Sequence, residues 1–288
     1  MKGFVNRLPD PVAMMQSLIA LPSISSAQPS IDQSNRAVAE QLATWLQPLG
    51  FRCELLPLPR QPDKCNLVAT LGQGSGGLVL AGHLDTVPYD EGAWNSDPFN
   101  GTVRDGRLYG LGSTDMKGFL ALAATAAARF QAGQLREPLI LIGTADEETG
   151  MEGAQMLLET GRPKARHAVI GEPTGMRPIR AHKGILMEAI RINGRAGHSS
   201  NPALGTNAIE GMARVIEALR GLQNELRETF NDPVFAVNHP TLNVGHICGG
   251  DAPNRIPALC DLHIDLRFLP GMSIEDLRER IHRAAQTA

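Results

Sequence analysis

The run Leu78-Val79-Leu80-Ala81-Gly82-His83-Leu84-Asp85 passes from four apolar residues straight into a glycine, a histidine and an aspartate. An apolar stretch that does not alternate with polar residues reads as a strand buried on both faces, and such strands belong to sheets covered by helices. Two further stretches repeat the arrangement. Residues 139–143 lead to Asp146-Glu147-Glu148, and residues 168–170 lead to Gly171-Glu172-Pro173. Residues 66–71 form a fourth strand of the same texture. Helical signals separate these runs. Asp10 is an N-cap with Pro11 at the first helical position, and Val38, Leu42, Trp45, Leu46 and Leu49 recur at helical spacing before Gly50. An Ala-rich helix over 116–131 follows the loop Gly110-Leu111-Gly112-Ser113-Thr114-Asp115. The class is therefore α/β, with a mostly parallel sheet flanked by helices.

After Lys183 the pattern changes. Residues 184–193 begin as an alternating strand with Ile185, Met187 and Ala189 on one face. A helix with Ile209, Met212, Val215, Ile216 and Leu219 on one face comes next, followed by strands over 241–247 and 258–268. The last helix opens at Ser273, with Asp276 three residues on. This order predicts a smaller, compact α+β unit, expected to be ferredoxin-like. The predicted domains are 1–182 and 183–288. The last helix carries no stop signal, so the sequence is expected to be incomplete at its C-terminus.

Composition excludes several roles. The 288 residues carry 27 Lys and Arg against 30 Asp and Glu, a net charge of −3, with 4% aromatics. A nucleic-acid binder needs a cationic surplus and stacking rings, so none is expected. The longest apolar run, 119–130, is interrupted by Arg129 and is too short to cross a bilayer. Pro9, Asp10 and Pro11 fall where the apolar part of a secretory leader would lie. The four cysteines form no CxxC pair, which together predicts reduced thiols and a cytoplasmic protein. Gly72-Gln73-Gly74-Ser75-Gly76-Gly77 fits GxGxxG but precedes a strand instead of opening a helix, so it is read as a connecting turn.

Ligand sites in open α/β sheets gather at the carboxyl ends of strands. Here three strand ends and one helix start deliver His83, Asp85, Asp115, Asp146, Glu147, Glu148 and Glu172 to that edge. No Lys or Arg adjoins His83, Asp146–Glu148 or Glu172 in sequence, so the carboxylates are expected to need a cation. One His with several carboxylates suits a divalent metal such as Zn, Co or Mn. His83 and Asp85 lie two apart, which predicts that the Asp85 carboxylate accepts the second ring N–H of His83. Glu147 and Glu148 point different ways, leaving one to ligate and one to move a proton.

His83-Leu84-Asp85, Gly112-Ser113-Thr114-Asp115-Met116-Lys117-Gly118, Glu147-Glu148-Thr149-Gly150 and Gly171-Glu172-Pro173-Thr174 resemble the co-catalytic zinc deacylases, the family of aminoacylase and succinyl-diaminopimelate desuccinylase. The resemblance covers essentially the whole chain. Ala81 to Pro88, Arg180-Ala181-His182-Lys183-Gly184, Gly197-His198-Ser199-Ser200, Gly249-Gly250-Asp251-Ala252 and Leu269-Pro270-Gly271-Met272 resemble its acetylornithine deacetylase branch. It implies a zinc-exopeptidase-like catalytic domain, incomplete at its C-terminus, and a dimerisation lid. It implies two divalent ions, Zn2+ or Co2+, with His83 and Glu172 on the first, Asp115 bridging, and Glu148 on the second. Glu147 would be the general base, Asp85 would orient His83, and the Asp115–Met116 peptide would be cis. His198 would reach a partner subunit's site to stabilise the oxyanion. Arg255, Asn254, Lys183 and His182 would hold a substrate carboxylate. In the family a further His ligand follows the small domain, and this sequence ends before it, so the second site is expected to lack a ligand.

The implied activity is hydrolysis of N2-acetyl-L-ornithine to L-ornithine and acetate in arginine biosynthesis, by a homodimer acting on a small N-acyl amino acid, with no nucleic-acid or membrane partner. The alternatives are another N-acyl-amino-acid or dipeptide hydrolase of the family, or a catalytically incomplete dimerisation or binding protein.

Overall fold

The computed structural model describes residues 8–288; residues 1–7, the start of the first expected domain and of the leader region, lie outside it. Contacts divide the chain into two compact units, Met1–Arg177 and Pro178–Ala288.

In the first unit, helices α1 (Pro11–Ile19) and α2 (Arg36–Leu46) precede strands β1 (Arg52–Pro57), β2 (Cys65–Leu71) and β3 (Leu78–His83). The small hairpin β4 (Thr102–Arg104) and β5 (Arg107–Tyr109) leads to α3 (Lys117–Ala127). Then come β6 (Leu139–Thr144), α4 (Glu152–Glu159) and β7 (His167–Ile170). The Asp10 side chain caps α1 by accepting from the Val12 N–H, as its position predicts. The glycine-rich stretch 72–77 joins β2 to β3 as a turn. Gly77 sits there at φ +90°, and a side chain on it would run into the Pro138 carbonyl.

The five-stranded sheet runs β1-β2-β6-β3-β7. β3 lies between β6 and β7, parallel to both, while β2 is antiparallel to β1 and β6. The sheet is thus mixed, and its parallel half ends at the predicted site. β1 escaped the sequence reading because its apolar residues are framed by Arg52, Glu54 and Pro57. Both faces of the sheet are covered, as continuous apolar strands require. Leu67, Ala69, Leu71, Leu139 and Leu141 pack with Met14, Leu18, Val38, Leu42, Leu46 and Leu120 from α1, α2 and α3. Val68, Val79, Ile140 and Ile142 pack on the other face with Leu157 of α4.

The second unit contains β8 (Gly184–Asn193), β9 (Gly197–His198), α5 (Ala208–Thr229), β10 (Thr241–Gly249), β11 (Arg255–Ile256), β12 (Leu259–Phe268) and α6 (Ile274–Gln286). β10, β12 and β8 form an antiparallel sheet in that order. Met212, Val215 and Leu219 of α5 and Leu277 of α6 bury Leu186, Leu262, Ile264 and Leu266 on one face. Ser273 Oγ caps α6 by accepting from the Asp276 N–H at 3.2 Å. Ile185 and Met187 do share a face, but it is the one turned away from the helices, 46% and 64% exposed. The helix-facing residues are their alternates, Leu186, Ile190 and Ile192.

Among the described residues, no helix is long and apolar enough to cross a membrane. All four cysteines are free. Leu42 is fully buried between α2 and the sheet. Leu42→Ala is expected to lower unfolding free energy by about 2–5 kcal/mol, measured by urea denaturation; a loss under about 1 kcal/mol would mean that α2 is not seated as described.

Candidate metal centre

The parallel pairing sets the site. His83 closes β3 opposite Thr144 at the end of β6, and Ala81 lies opposite Ile170 at the end of β7. Glu147 and Glu148 follow β6, Glu172 follows β7, and Asp115 precedes α3. The Asp115–Met116 peptide is cis, as the resemblance implies. His83 is 1% exposed, and its Nε2 lies 2.9 Å from Asp115 Oδ1. Two sets of donor atoms share this ring. Those of His83, Asp115 and Glu172 lie within 4.8 Å of one another, as do those of His83, Glu147 and Glu148.

The second ring nitrogen corrects one expectation. His83 Nδ1 donates to the main-chain carbonyl of Asp85 at 2.9 Å, while the Asp85 carboxylate Oδ1 stands 3.9 Å away. The carboxylate is engaged elsewhere, with Oδ2 accepting from the Glu148 N–H at 3.0 Å. Oδ1 is buried and has no hydrogen-bond partner among the described residues. A carbonyl can only accept, so Nδ1 carries a proton, and the Nε2 lone pair of a neutral ring would face the Asp115 oxygen. At that distance either a proton on Nε2 or a metal ion lies between the two; burial opposes charging the ring, but Asp85, Asp115 and Glu147 outweigh it and raise the His83 pKa.

The other carboxylates make the same demand. Burial raises the Glu148 pKa to about 7, with Asp115, Glu147 and Asp85 adding to the rise against the pull of His83. Glu147 is raised by burial and by Asp85 and Asp115, and Glu172 by burial and by Asp115 and Glu147. Among the described residues, no Lys or Arg is paired with Asp115, Glu147, Glu148 or Glu172. One imidazole and several oxygen donors with raised pKa values fit a divalent ion.

Asp146 departs from the expectation that no cation reaches this group. Lys64, distant in sequence, places Nζ 3.1 Å from Asp146 Oδ1 and 2.7 Å from Asp32. Asp146 therefore faces away from the donor sets into a buried polar cluster. A second lysine also went unassigned in the sequence reading. Lys117 is 1% exposed, donates to the Leu21 carbonyl at 2.7 Å, and is lowered to about 7 by burial, with Asp85 opposing. A Lys opening an otherwise Ala-rich helix was the available signal.

The candidate carboxylate-binding residues fall into two groups within the second unit. His198 on β9 pairs with Arg255 on β11, and the Ser199 N–H donates to the Asn254 carbonyl at 3.1 Å. His198 is exposed and its Nδ1 lies 2.8 Å from Ser200 Oγ; Arg255 is paired with Asp251 at 2.6 Å. Lys183 instead donates to the His239 carbonyl at 2.6 Å, and with His182, Phe235, Val237 and Arg267 it lines a cavity of about 430 Å³. The 10 residues of β8 separate the two groups, roughly 33 Å of strand. One small carboxylate cannot touch both groups of one chain.

The model of the peptidase dimerisation domain matches residues 180–288. The chain is 50% identical over 276 residues to an acetylornithine deacetylase of Proteus mirabilis, covering 96% of this chain and 71% of that protein. The chain belongs to the acetylornithine deacetylase family. An acetylornithine deacetylase of Edwardsiella ictaluri is 49% identical, with 96% of this chain and 73% of that protein covered. The resemblance to this family read from the strand-end residues is borne out. The fold expectation is borne out as well. An M20 family metallo-carboxypeptidase from Sulfolobus solfataricus superposes with a TM-score of 0.78 at 19% identity, over 97% of this chain and 76% of that one. Human carnosine dipeptidase 1 gives a TM-score of 0.65 at 19% identity, over 96% and 73%.

With Glu148 raised to about 7, this carboxyl is mostly protonated at pH 6 and mostly ionised at pH 8. A metal ion must displace that proton. Calorimetric titration with Co2+ in buffers of different ionisation enthalpy is expected to show more protons released per ion at pH 6 than at pH 8. Equal release at both values would mean that Glu148 does not titrate against its neighbours.

Proposed function

We propose that this protein hydrolyses N2-acetyl-L-ornithine to L-ornithine and acetate, a step of arginine biosynthesis. The observation that carries this reading is the 50% identity to an acetylornithine deacetylase across 96% of the chain. The donor sets around His83 support it chemically. Residues 1–182 would act as the catalytic domain and 183–288 as the dimerisation lid of a cytoplasmic homodimer. The match of 180–288 to the peptidase dimerisation domain supports the second assignment.

His83, Asp115 and Glu172 would hold one divalent ion, zinc or cobalt, and Glu148 with Asp115 would serve a second. Ions bound there would lower the pKa of water and polarise an amide carbonyl. Glu147 is the general base. It takes a proton from the attacking water, the water oxygen bonds to the acetyl carbon, and Glu147 passes the proton to the amine nitrogen as the C–N bond breaks. Burial raises the Glu147 pKa, which suits a group that must accept a proton and then release it. Asp85 is a positioning residue, holding the His83 ring through its carbonyl and the Glu148 amide through its carboxylate. His198 would donate to the scissile carbonyl oxygen in the site of a second copy. Asn254 and Arg255 sit beside His198 and are the better-placed candidates for the substrate α-carboxylate; Lys183 and His182 lie at the other end of β8.

Two measurements test the reading. The protein is expected to prefer N-acetylornithine over N-succinyl-diaminopimelate in kcat/KM, and an equal or reversed preference would overturn the acetylornithine assignment. Glu147→Gln is expected to lower kcat by about 10²–10⁴ while Co2+ uptake persists. Retained turnover would remove Glu147 from the base role.

A further inference from the structure

We propose that a buried brace centred on Lys64 and Asp146 positions the Glu147–Glu148 carboxylates and so sets the divalent-metal affinity of the centre from outside it. The inference rests on reading Glu148 as a ligand and Glu147 as its neighbouring base. Lys64 and Asp146 themselves touch neither donor set.

The two glutamates sit in the segment 145–153, between β6 and α4. Its base is tied shut. The Gly153 N–H donates to the Ala145 carbonyl at 3.2 Å. Asn66 on β2, fully buried, clamps the same two residues: its Oδ1 accepts from the Ala145 N–H at 2.9 Å and its Nδ2 donates to the Gly153 carbonyl at 2.8 Å. A side chain at Gly153 would collide with Asn66 and with Ala145, so the closure leaves no room for a larger residue.

Inside the loop, Asp146 adopts the left-handed conformation at φ +60°, uncommon for a residue with a side chain. Its hydrogen bonds hold it there. Oδ1 accepts from Ser25 Oγ at 2.9 Å, Thr149 Oγ1 at 2.6 Å and Lys64 Nζ at 3.1 Å. Oδ2 accepts from the Gly150 N–H at 3.2 Å, and the carbonyl accepts from the Met151 N–H at 2.6 Å. The side chains of Lys64 and Asp146 are 4% and 6% exposed. Lys64 also holds Asp32 at 2.7 Å, so one buried cation gathers two loops from other parts of the unit onto the turn that aims Glu147 and Glu148.

The brace opposes a definite force. The carboxylates of Glu147, Glu148, Asp115 and Glu172 repel one another before an ion arrives, and a free loop would relieve that repulsion by spreading. Residues that orient ligands in this way commonly change metal affinity by about 10–100-fold when altered. Removing Lys64 would also leave Asp146 and Asp32 without their buried counter-charge.

The test is Co2+ affinity, read by the visible absorption of the bound ion, beside the thermal midpoint of the chelated protein. Lys64→Met is expected to bind Co2+ about 10–100-fold more weakly than the parent. Val38→Ala, a core change in α2 that removes none of the hydrogen bonds of the brace, is expected to lower the midpoint and leave the affinity unchanged. If Lys64→Met does not fold, Ser25→Ala and Thr149→Val carry the test. Each deletes one hydroxyl donor to Asp146 without stranding a charge, and each is expected to weaken binding by about 3–10-fold. Parent-like affinity in the foldable variants overturns the brace, as does an equal loss in Val38→Ala. If the parent takes up no divalent ion, the metal reading itself fails and the brace falls with it; a parent that binds alongside variants that bind equally well refutes the brace alone.

Discussion

Four carboxylates and one buried imidazole share a space where burial first, and neighbouring acids after it, hold Glu147, Glu148 and Glu172 above the usual carboxylate range. His83 is committed through Nδ1 to a main-chain carbonyl, so its Nε2 faces Asp115, a contact that needs either a proton on Nε2 or a metal ion. Glu148, raised to about 7, records the same conflict. The rest of the first unit is arranged to sustain this charge. Two covered sheet faces hold the strand ends rigid, and Lys64 places a cation beneath the one turn that carries two of the carboxylates. The arrangement is costly for the empty protein and favourable once a divalent ion is bound.

The strand-end logic was legible because a parallel, doubly covered sheet demands uninterrupted apolar strands, and polar residues directly after them stand out. That reading identified His83, Asp115, Glu147, Glu148 and Glu172, and the structure gathers all of them around one ring. It failed for Asp146. In sequence that residue is simply the first of three acids, whereas in space its φ of +60° turns it toward Lys64 and away from the other two. It failed also for Asp85, whose spacing from His83 is right but whose carboxylate is taken by the Glu148 amide.

In the second unit the periodicity of β8 was visible, but its orientation was not. Ile185 and Met187 are apolar and alternate, yet the helices cover Leu186, Ile190 and Ile192 instead. Both faces of that strand carry apolar residues at its start, so alternation alone could not choose between them. The polar candidates were likewise grouped by chemistry in the sequence and separated by the length of β8 in space.

The sequence by itself determined the fold class, the family and the residue types that converge on the strand ends, because all of these depend on local pattern: apolar runs, caps and polar residues at fixed offsets. Only the tertiary structure decided which atom holds His83, which acid leaves the site and which lysine meets it. Those outcomes turn on contacts such as Lys64 with Asp146, 82 residues apart, and on a buried charge seeking whichever counter-charge the fold brings within reach. No spacing along the chain encodes that reach.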